Sequence, residues 1–473
     1  MYKSRIPKGS VKSIWVAILC CVFWLASALP FQSVNQRAAA ENMTQAQLSA
    51  QSLSACDRID IETLWHILRS NPEVAATWAQ NEKDCYAWNE FLVLNWPSIG
   101  QTNRLPDQAG YPEPGAAPDP EQAIGDPGFV VWGRWKETKD VYLANGAQPL
   151  PWDDYVGPPD PVIEKAASQG LCSLDNASAS SCRTTPFNNM GLIQQVSGLV
   201  FKSDKDNQGL PIRYELAQNQ STFDYIFNHQ LYNVNGQEAR SRSCAAPTTW
   251  PEDNCISFDW NASEIKASWM WVDPQNPNRS DILDRYITTI GYYQKPDETF
   301  EVGIAALTGL HIISKSLPQW VWTTFENKYN DRYTTVPLEN PVSETTQEIN
   351  EKYQQRLRNY GTPDAEKYAN YFLVGTQIDF EDPVLLANSQ IESDFQKRSS
   401  CITCHAIASV TGKLESSSGE LLPLNFSFVD TSGGNLTYYI GRLPQEITDQ
   451  LIADYQGMDY VWSLRLARRD RSR

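Results

Sequence analysis

How this chain can fold is constrained first by its cysteines. Two of the ten, Cys20 and Cys21, fall in an N-terminal apolar run, which leaves eight. Six of these form three close couples: Cys56 with Cys85, Cys172 with Cys182, and Cys244 with Cys255. In an oxidising compartment such couples predict local disulfides. Nearest-neighbour pairing is preferred because short loops close most easily, although the sequence leaves other connectivities open. The last two cysteines stand apart in Cys401-Ile402-Thr403-Cys404-His405.

That pentapeptide has a specific chemistry. Two thiols at this spacing can add to the two vinyl groups of one porphyrin, and the residue after the second places an imidazole beneath the iron. Cys401, Cys404 and His405 therefore predict one covalently attached haem c, with His405 as proximal ligand. Two other uses of the motif compete. A zinc site needs further Cys or His ligands at similar spacing, and the other cysteines already fall into couples. A thioredoxin-like redox pair belongs near a βαβ pattern, whereas this one follows a predicted short helix in a chain whose strands read as antiparallel.

The other end of the chain points to the same compartment. Lys3, Arg5, Lys8 and Lys12 precede an apolar run from Ile14 to Ala28, the layout of a secretory signal. Ala26-Ser27-Ala28 and Ala38-Ala39-Ala40 are both candidate cleavage sites. The run is short against the roughly 20 apolar residues of a membrane span, but Phe31 extends it, so an uncleaved anchor stays open. Residues 1–40 are thus expected to be signal and leader, and the protein to be exported to a periplasm or thylakoid lumen. A formal charge of −17 argues against nucleic acid and anionic membranes as partners. The C-terminal arginines from Arg465 to Arg473 read as a solvated tail. The expected partner is a redox protein or a small-molecule oxidant or reductant.

Periodicity predicts an α+β protein. Asp57 to Trp96 reads as helical, with Ile61, Leu64 and Leu68 at helical spacing. Leu105 to Gly128 is rich in Pro, Gly and Asp and reads as loop. From about Gly128 to Gln377 the signal is strand. Between Glu264 and Val272, Ile265, Ala267, Trp269 and Trp271 alternate with polar residues, which predicts a strand with one face buried. Phe300 to Ile304 alternates likewise, and Trp320 to Phe325 favours strand throughout. Gln347 to Tyr360 reads as helix. Ser389 and Glu392 fit a capping box for a short helix running into Cys401, and Pro444 opens a closing helix. The expected organisation is a helical N-terminal portion and a β-rich, antiparallel, sandwich-like body over 41–385. A small α-helical cytochrome c-like haem segment follows over 386–473.

The sixth iron ligand decides the chemistry, since Met or His closes the site and an open position admits small molecules. His311, in Gly309-Leu310-His311-Ile312-Ile313 between two strand-like runs, is the best histidine candidate. It is also a candidate acid–base group. His66 and His229 read as structural. Met458, soon after the closing helix, is the methionine candidate, against ordinary packing. The 16 Trp and 21 Tyr read first as core residues and second as a pocket lining or electron path.

Several blocks in one order resemble a group of exported bacterial proteins known only as cytochrome c family. They include Trp88-Asn89-Glu90-Phe91-Leu92, Arg213-Tyr214-Glu215, and Gly309 to Lys315 leading into Trp320 to Asn327. Val374-Gly375-Thr376-Gln377 and Leu386-Ala387-Asn388-Ser389 then lead to the Cys-x-x-Cys-His. The resemblance spans most of the chain and implies haem and architecture, with no defined substrate. The group's histidine matches at His311. Where its members often carry a histidine after Phe-Glu, this chain has Asn327, which weakens any ligand role for that position. Three functions remain: electron transfer through the haem, a peroxidase- or oxidase-like haem enzyme with an open distal site, and a haem-based ligand-binding or sensing module.

Overall fold

A computed structural model describes residues 56, 80–98, 117–126, 128–154, 158–172, 184–186, 212–253, 255–295, 297–334, 336–362, 364–392, 395–411 and 440–470. The signal and leader, both cleavage sites, residues 57–79 of the predicted N-terminal helical portion, His66 and Cys182 lie outside the described residues. The chain divides into two units, Met1–Arg58 and Ile59–Arg473. The fold belongs to the second unit, and Cys56 lies in the first.

The protein is α+β, built on an eight-stranded sheet with helices around it. Its axis is the pair β4 (Ser263–Val272) and β6 (Phe300–Ser314), antiparallel along ten residue pairs from Ser263–Ser314 to Val272–Ile304. At about 3.4 Å per residue, β6 extends roughly 50 Å. It is long enough for two strands to share its other edge. β5 (Thr288–Gln294) pairs with its first half, and β7 (Val321–Asn327) with its second. The sheet continues from β7 to β8 (Tyr371–Gln377), from β4 to β3 (Arg213–Gln218) and β1 (Lys136–Glu137), and from β5 to β2 (Thr184–Pro186). Within this sheet every pairing is antiparallel except β2 with β5. Phe300 to Ile304 and the His311 block, read from sequence as separate, are therefore one strand.

Alternation in β4 does predict the strand, but not its burial. Nine of its ten residues are buried, and Lys266 is partly so. The expectation of one buried face fails because the polar face is covered as well. The Ser463 hydroxyl donates to Glu264 at 2.6 Å, and Lys266 Nζ lies 5.0 Å from the centre of the Tyr214 ring.

Two helices cover β8: α1 (Gln80–Leu94) and α4 (Glu344–Asn359), with α2 (Gln220–Asn228) and α3 (Val234–Ser243) lying between them in the chain. Trp88 stacks on Tyr353 at 5.2 Å and meets Phe325 of β7 edge-on at 5.0 Å. Its indole N–H donates to Asn350 at 2.8 Å. α4 begins at Ser343, whose hydroxyl accepts the Thr346 N–H. The predicted closing helix is α6 (Gln445–Asp454), with Pro444 at its N-cap.

The described residues around the Cys-x-x-Cys-His motif pack into the core of the body. Cys401, Ile402, Ala406, Val461 and Leu464 share one hydrophobic cluster with Phe223, Trp320, Trp322 and Val374 of the body. Among the described residues no helix is long and apolar enough to cross a membrane.

Candidate haem-attachment site

Cys401, Cys404 and His405 all lie on one short helix, α5 (Cys401–Ala406). At six residues it is too short to persist alone, since nucleation dominates at that length. Its ends are therefore satisfied from outside. Ser400 caps it, accepting from the Thr403 N–H. Gln377, at the end of β8, accepts the Ile402 N–H at 3.1 Å and donates its amide to Ser400 Oγ at 3.1 Å and to Pro383 O at 2.6 Å. At the other end, Trp462 Nε1–H donates to the Cys404 carbonyl at 3.0 Å, and Trp250 Nε1–H to that of Ala406 at 2.8 Å. These bonds answer orphan groups that any helix end leaves behind.

The predicted capping box before α5 is not formed. The Ser389 N–H and hydroxyl both donate to Glu326, at 2.5 and 2.6 Å. Glu392 accepts instead from the Asn388 N–H at 2.8 Å. Burial on β7 gives Glu326 a strong need for donors, and Ser389 supplies two.

His405 is held in a definite orientation. Its Nδ1 lies 2.7 Å from the Tyr460 carbonyl oxygen, which can only accept, so Nδ1 carries the proton and Nε2 keeps its lone pair. Burial pushes the ring's pKa down to about 4, further favouring the neutral imidazole, while the bond to Tyr460 acts the other way. Trp322 of β7 packs against the ring at 4.4 Å. Both motif cysteines are free thiols, Cys401 buried and Cys404 partly so. Burial, and then the Glu392 charge, push the Cys401 thiol up and that of Cys404 up to about 11. A neutral imidazole with a free Nε2, beside two unlinked thiols on the same helix, fits a c-type haem.

The sheet brings a second group of charges to this helix. Lys266 and His311 are cross-strand partners on β4 and β6. His311 Nε2 lies 3.4 Å from Glu392 Oε2, with both side chains 13% exposed. Glu392 is buried, but His311 first and Lys266 second pull its carboxyl below the usual range. Lys266 is pushed down by burial and drawn back by Glu392, Cys404 and Cys401. His311 likewise opposes protonation of His405. The sequence singled out His311 but not Lys266, whose place in the β4 alternation marked it only as polar.

Met458 follows β10 (Gln456–Gly457), which pairs with β9 (Ser409–Val410) directly after α5. Its N–H donates to the Ala408 carbonyl at 2.9 Å, and its side chain is buried in the shared core. The structure therefore brings both distal candidates near the motif, Met458 through the segment that meets the Nδ1 edge of His405. His229 lies apart from the site, its ring stacked on Tyr225 at 4.2 Å. Asn327 bonds to the Arg285 carbonyl at 3.1 Å.

Cys244 and Cys255 are disulfide-bonded, with Cα atoms 5.8 Å apart. Cys56, Cys85 and Cys172 are also in disulfide linkage. Among the described residues, no three His, Cys, Asp or Glu side chains converge where a bare metal ion could be held.

No protein-family model, curated protein or solved structure matches this chain.

Proposed function

We propose that this protein is an exported c-type cytochrome that transfers electrons through a single covalently bound haem. The observation that carries this reading is the His405 ring, locked by Tyr460 with Nε2 unprotonated, on the same helix as two free thiols. Cys401 and Cys404 would hold the porphyrin by thioether bonds and His405 the iron. When bound, the haem supplies one-electron exchange at the iron. The chain's own residues fix the imidazole tautomer, tie α5 to β8 through Gln377, and keep water from the Trp322 side of His405. Disulfides in the body suit an oxidising compartment, in keeping with the export signal. The acidic charge suits a basic redox partner, with binding that weakens as salt rises.

One observation favours a second reading, a haem enzyme acting on a small oxidant or oxidisable substrate. His311 turns its Nε2 to Glu392 beside the motif, an arrangement in which the pair can hold and pass a proton. His311 Nε2 is buried and completes no hydrogen bond at its 3.4 Å from Glu392, so it stays a candidate both for proton transfer and for the iron. Met458 is disfavoured as the sixth ligand, since its segment backs the Nδ1 edge of His405 and the iron would bind at Nε2.

The test is the visible spectrum of the purified native protein, oxidised and reduced, with and without cyanide, together with acid–acetone extraction of a separate sample. Haem that stays with the chain, and is lost from C401A/C404A, supports the proposal. Haem that extracts completely overturns it. A low-spin spectrum unmoved by cyanide supports the carrier. A high-spin spectrum with rapid cyanide binding supports the enzyme.

A further inference from the structure

We propose that the buried ion pair Lys315–Asp459 is a positioning device for His405, holding the Tyr460 carbonyl against the imidazole and so setting its strength as an iron ligand. The inference rests on the haem reading and assigns a role to two residues outside the motif. Lys315 follows directly on β6, where its N–H donates to the Ala262 carbonyl at 2.8 Å. Its ammonium meets both carboxylate oxygens of Asp459 at 2.5 Å and the Pro318 carbonyl at 3.2 Å. The side chains are only 6% and 3% exposed. Asp459 also accepts the Phe258 N–H at 2.8 Å. The next residue carries the carbonyl that receives His405 Nδ1–H at 2.7 Å.

The backbone between these contacts is held where side chains rarely go. Asp459 has φ +49° and Tyr460 φ +67°, two consecutive non-glycine residues in the left-handed region. Such a conformation persists only when its surroundings over-determine it, and it clusters where geometry matters for function. A buried ion pair is by itself weak evidence for stability, because desolvation offsets its attraction; its better-attested use is to fix a geometry. Here the pair ties the left-handed turn to the end of β6, while Trp322 from β7 confines the other side of the ring. A firmer Nδ1–H···O bond makes the imidazole a stronger donor through Nε2.

The experiment compares wild type with Asp459→Asn and with the double variant Lys315→Met/Asp459→Asn, each labelled with 15N-histidine. With four histidines in the chain, assignment by substitution is direct. Asn adopts the left-handed conformation as readily as Asp, so the turn's own preference is kept. The double variant leaves no unpaired ammonium. The readouts are hydrogen exchange of the His405 Nδ1–H by NMR, which does not depend on haem, and the midpoint potential of the holoprotein. The expected result is exchange faster by about tenfold or more in both variants, the equivalent of losing one hydrogen bond, and a raised potential in the double variant. Unchanged exchange and potential in a folded double variant would overturn the proposal, leaving the pair a packing feature. If neither variant accumulates as folded protein, the pair is a folding element and the positioning role is rejected. Wild-type protein without covalent haem overturns instead the reading on which the proposal rests, and the exchange data show which of the two has failed.

Discussion

At His405 one hydrogen bond decides which nitrogen can meet a metal, and the same bond bears on Met458. Because Tyr460 takes the Nδ1 proton, an iron held by this ring would meet Nε2, and the Tyr460 carbonyl lies against the opposite nitrogen. Met458 belongs to the chain leading into Tyr460 and is 2% exposed. Met458→Ala is therefore expected to leave the haem spectrum unchanged while lowering stability by about 2–5 kcal/mol through the cavity it leaves. Spectra and chemical denaturation of the same sample check both halves, and loss of an axial-ligand band would restore Met458 as the ligand. His311, Cys401, Cys404 and His405 could all be singled out from the sequence, because each is scarce and chemically specific. Lys266 and Lys315 could not, and Glu392 was read only as a helix cap, since a charged residue in an acidic chain reads as surface until a partner strand covers it.

At the scale of elements, α5 and the β4–β6–β7 junction depend on groups far off in sequence. Trp250→Phe keeps an aromatic ring but removes the N–H that serves the Ala406 carbonyl. That leaves a buried acceptor unpaired, and a loss of roughly 1–3 kcal/mol is expected by thermal or denaturant unfolding. In β6, a Cβ on Gly309 would stand 2.7 Å from the Asn388 amide and 2.9 Å from Ser268 Oγ. Asn388 is itself bonded to Thr324 Oγ1 and the Phe325 carbonyl, so it has little freedom to move. Gly309→Ala is expected to cost about 1–3 kcal/mol by overpacking; a neutral result would mean that the Asn388 turn yields easily. Period-two alternation made β4 and the start of β6 legible in the sequence, and strand-favouring residues did the same for β7. The capping box misled because a serine hydroxyl serves whichever buried acceptor is nearest, and here that acceptor is Glu326.

For the molecule as a whole, buried carboxylates make stability depend on pH. Burial raises Glu90, Glu264 and Glu326 each to about 7 from an ordinary 4.5, and hydrogen bonds only partly oppose it. The folded state then binds more protons than the unfolded state between those values. Their favourable contribution is complete below about 4.5 and lost as pH rises through about 7. Glu264→Gln removes one share of that slope while keeping an acceptor for Ser463. Its melting temperature is expected to exceed that of wild type at about pH 8 and to lose that advantage at about pH 4.5, a difference worth up to about 3 kcal/mol. Parallel melting curves across this range would mean that Glu264 stays ionised in the fold.

From the sequence alone came the expectations of haem attachment and export and the strand-rich class, because thiol spacing, an apolar N-terminal run and local periodicity are local properties of a chain. Tertiary structure decided what surrounds the motif. The sheet carries Lys266 and His311 to Glu392, three tryptophans close around α5, and a left-handed turn pinned by Lys315 aims one carbonyl at His405. The bonds from Tyr460, Lys315 and Trp250 join residues 55, 144 and 156 positions apart, and no local pattern encodes them. Cys401, Cys404 and His405 thus mark a candidate site, and the long-range packing of the sheet sets its surroundings.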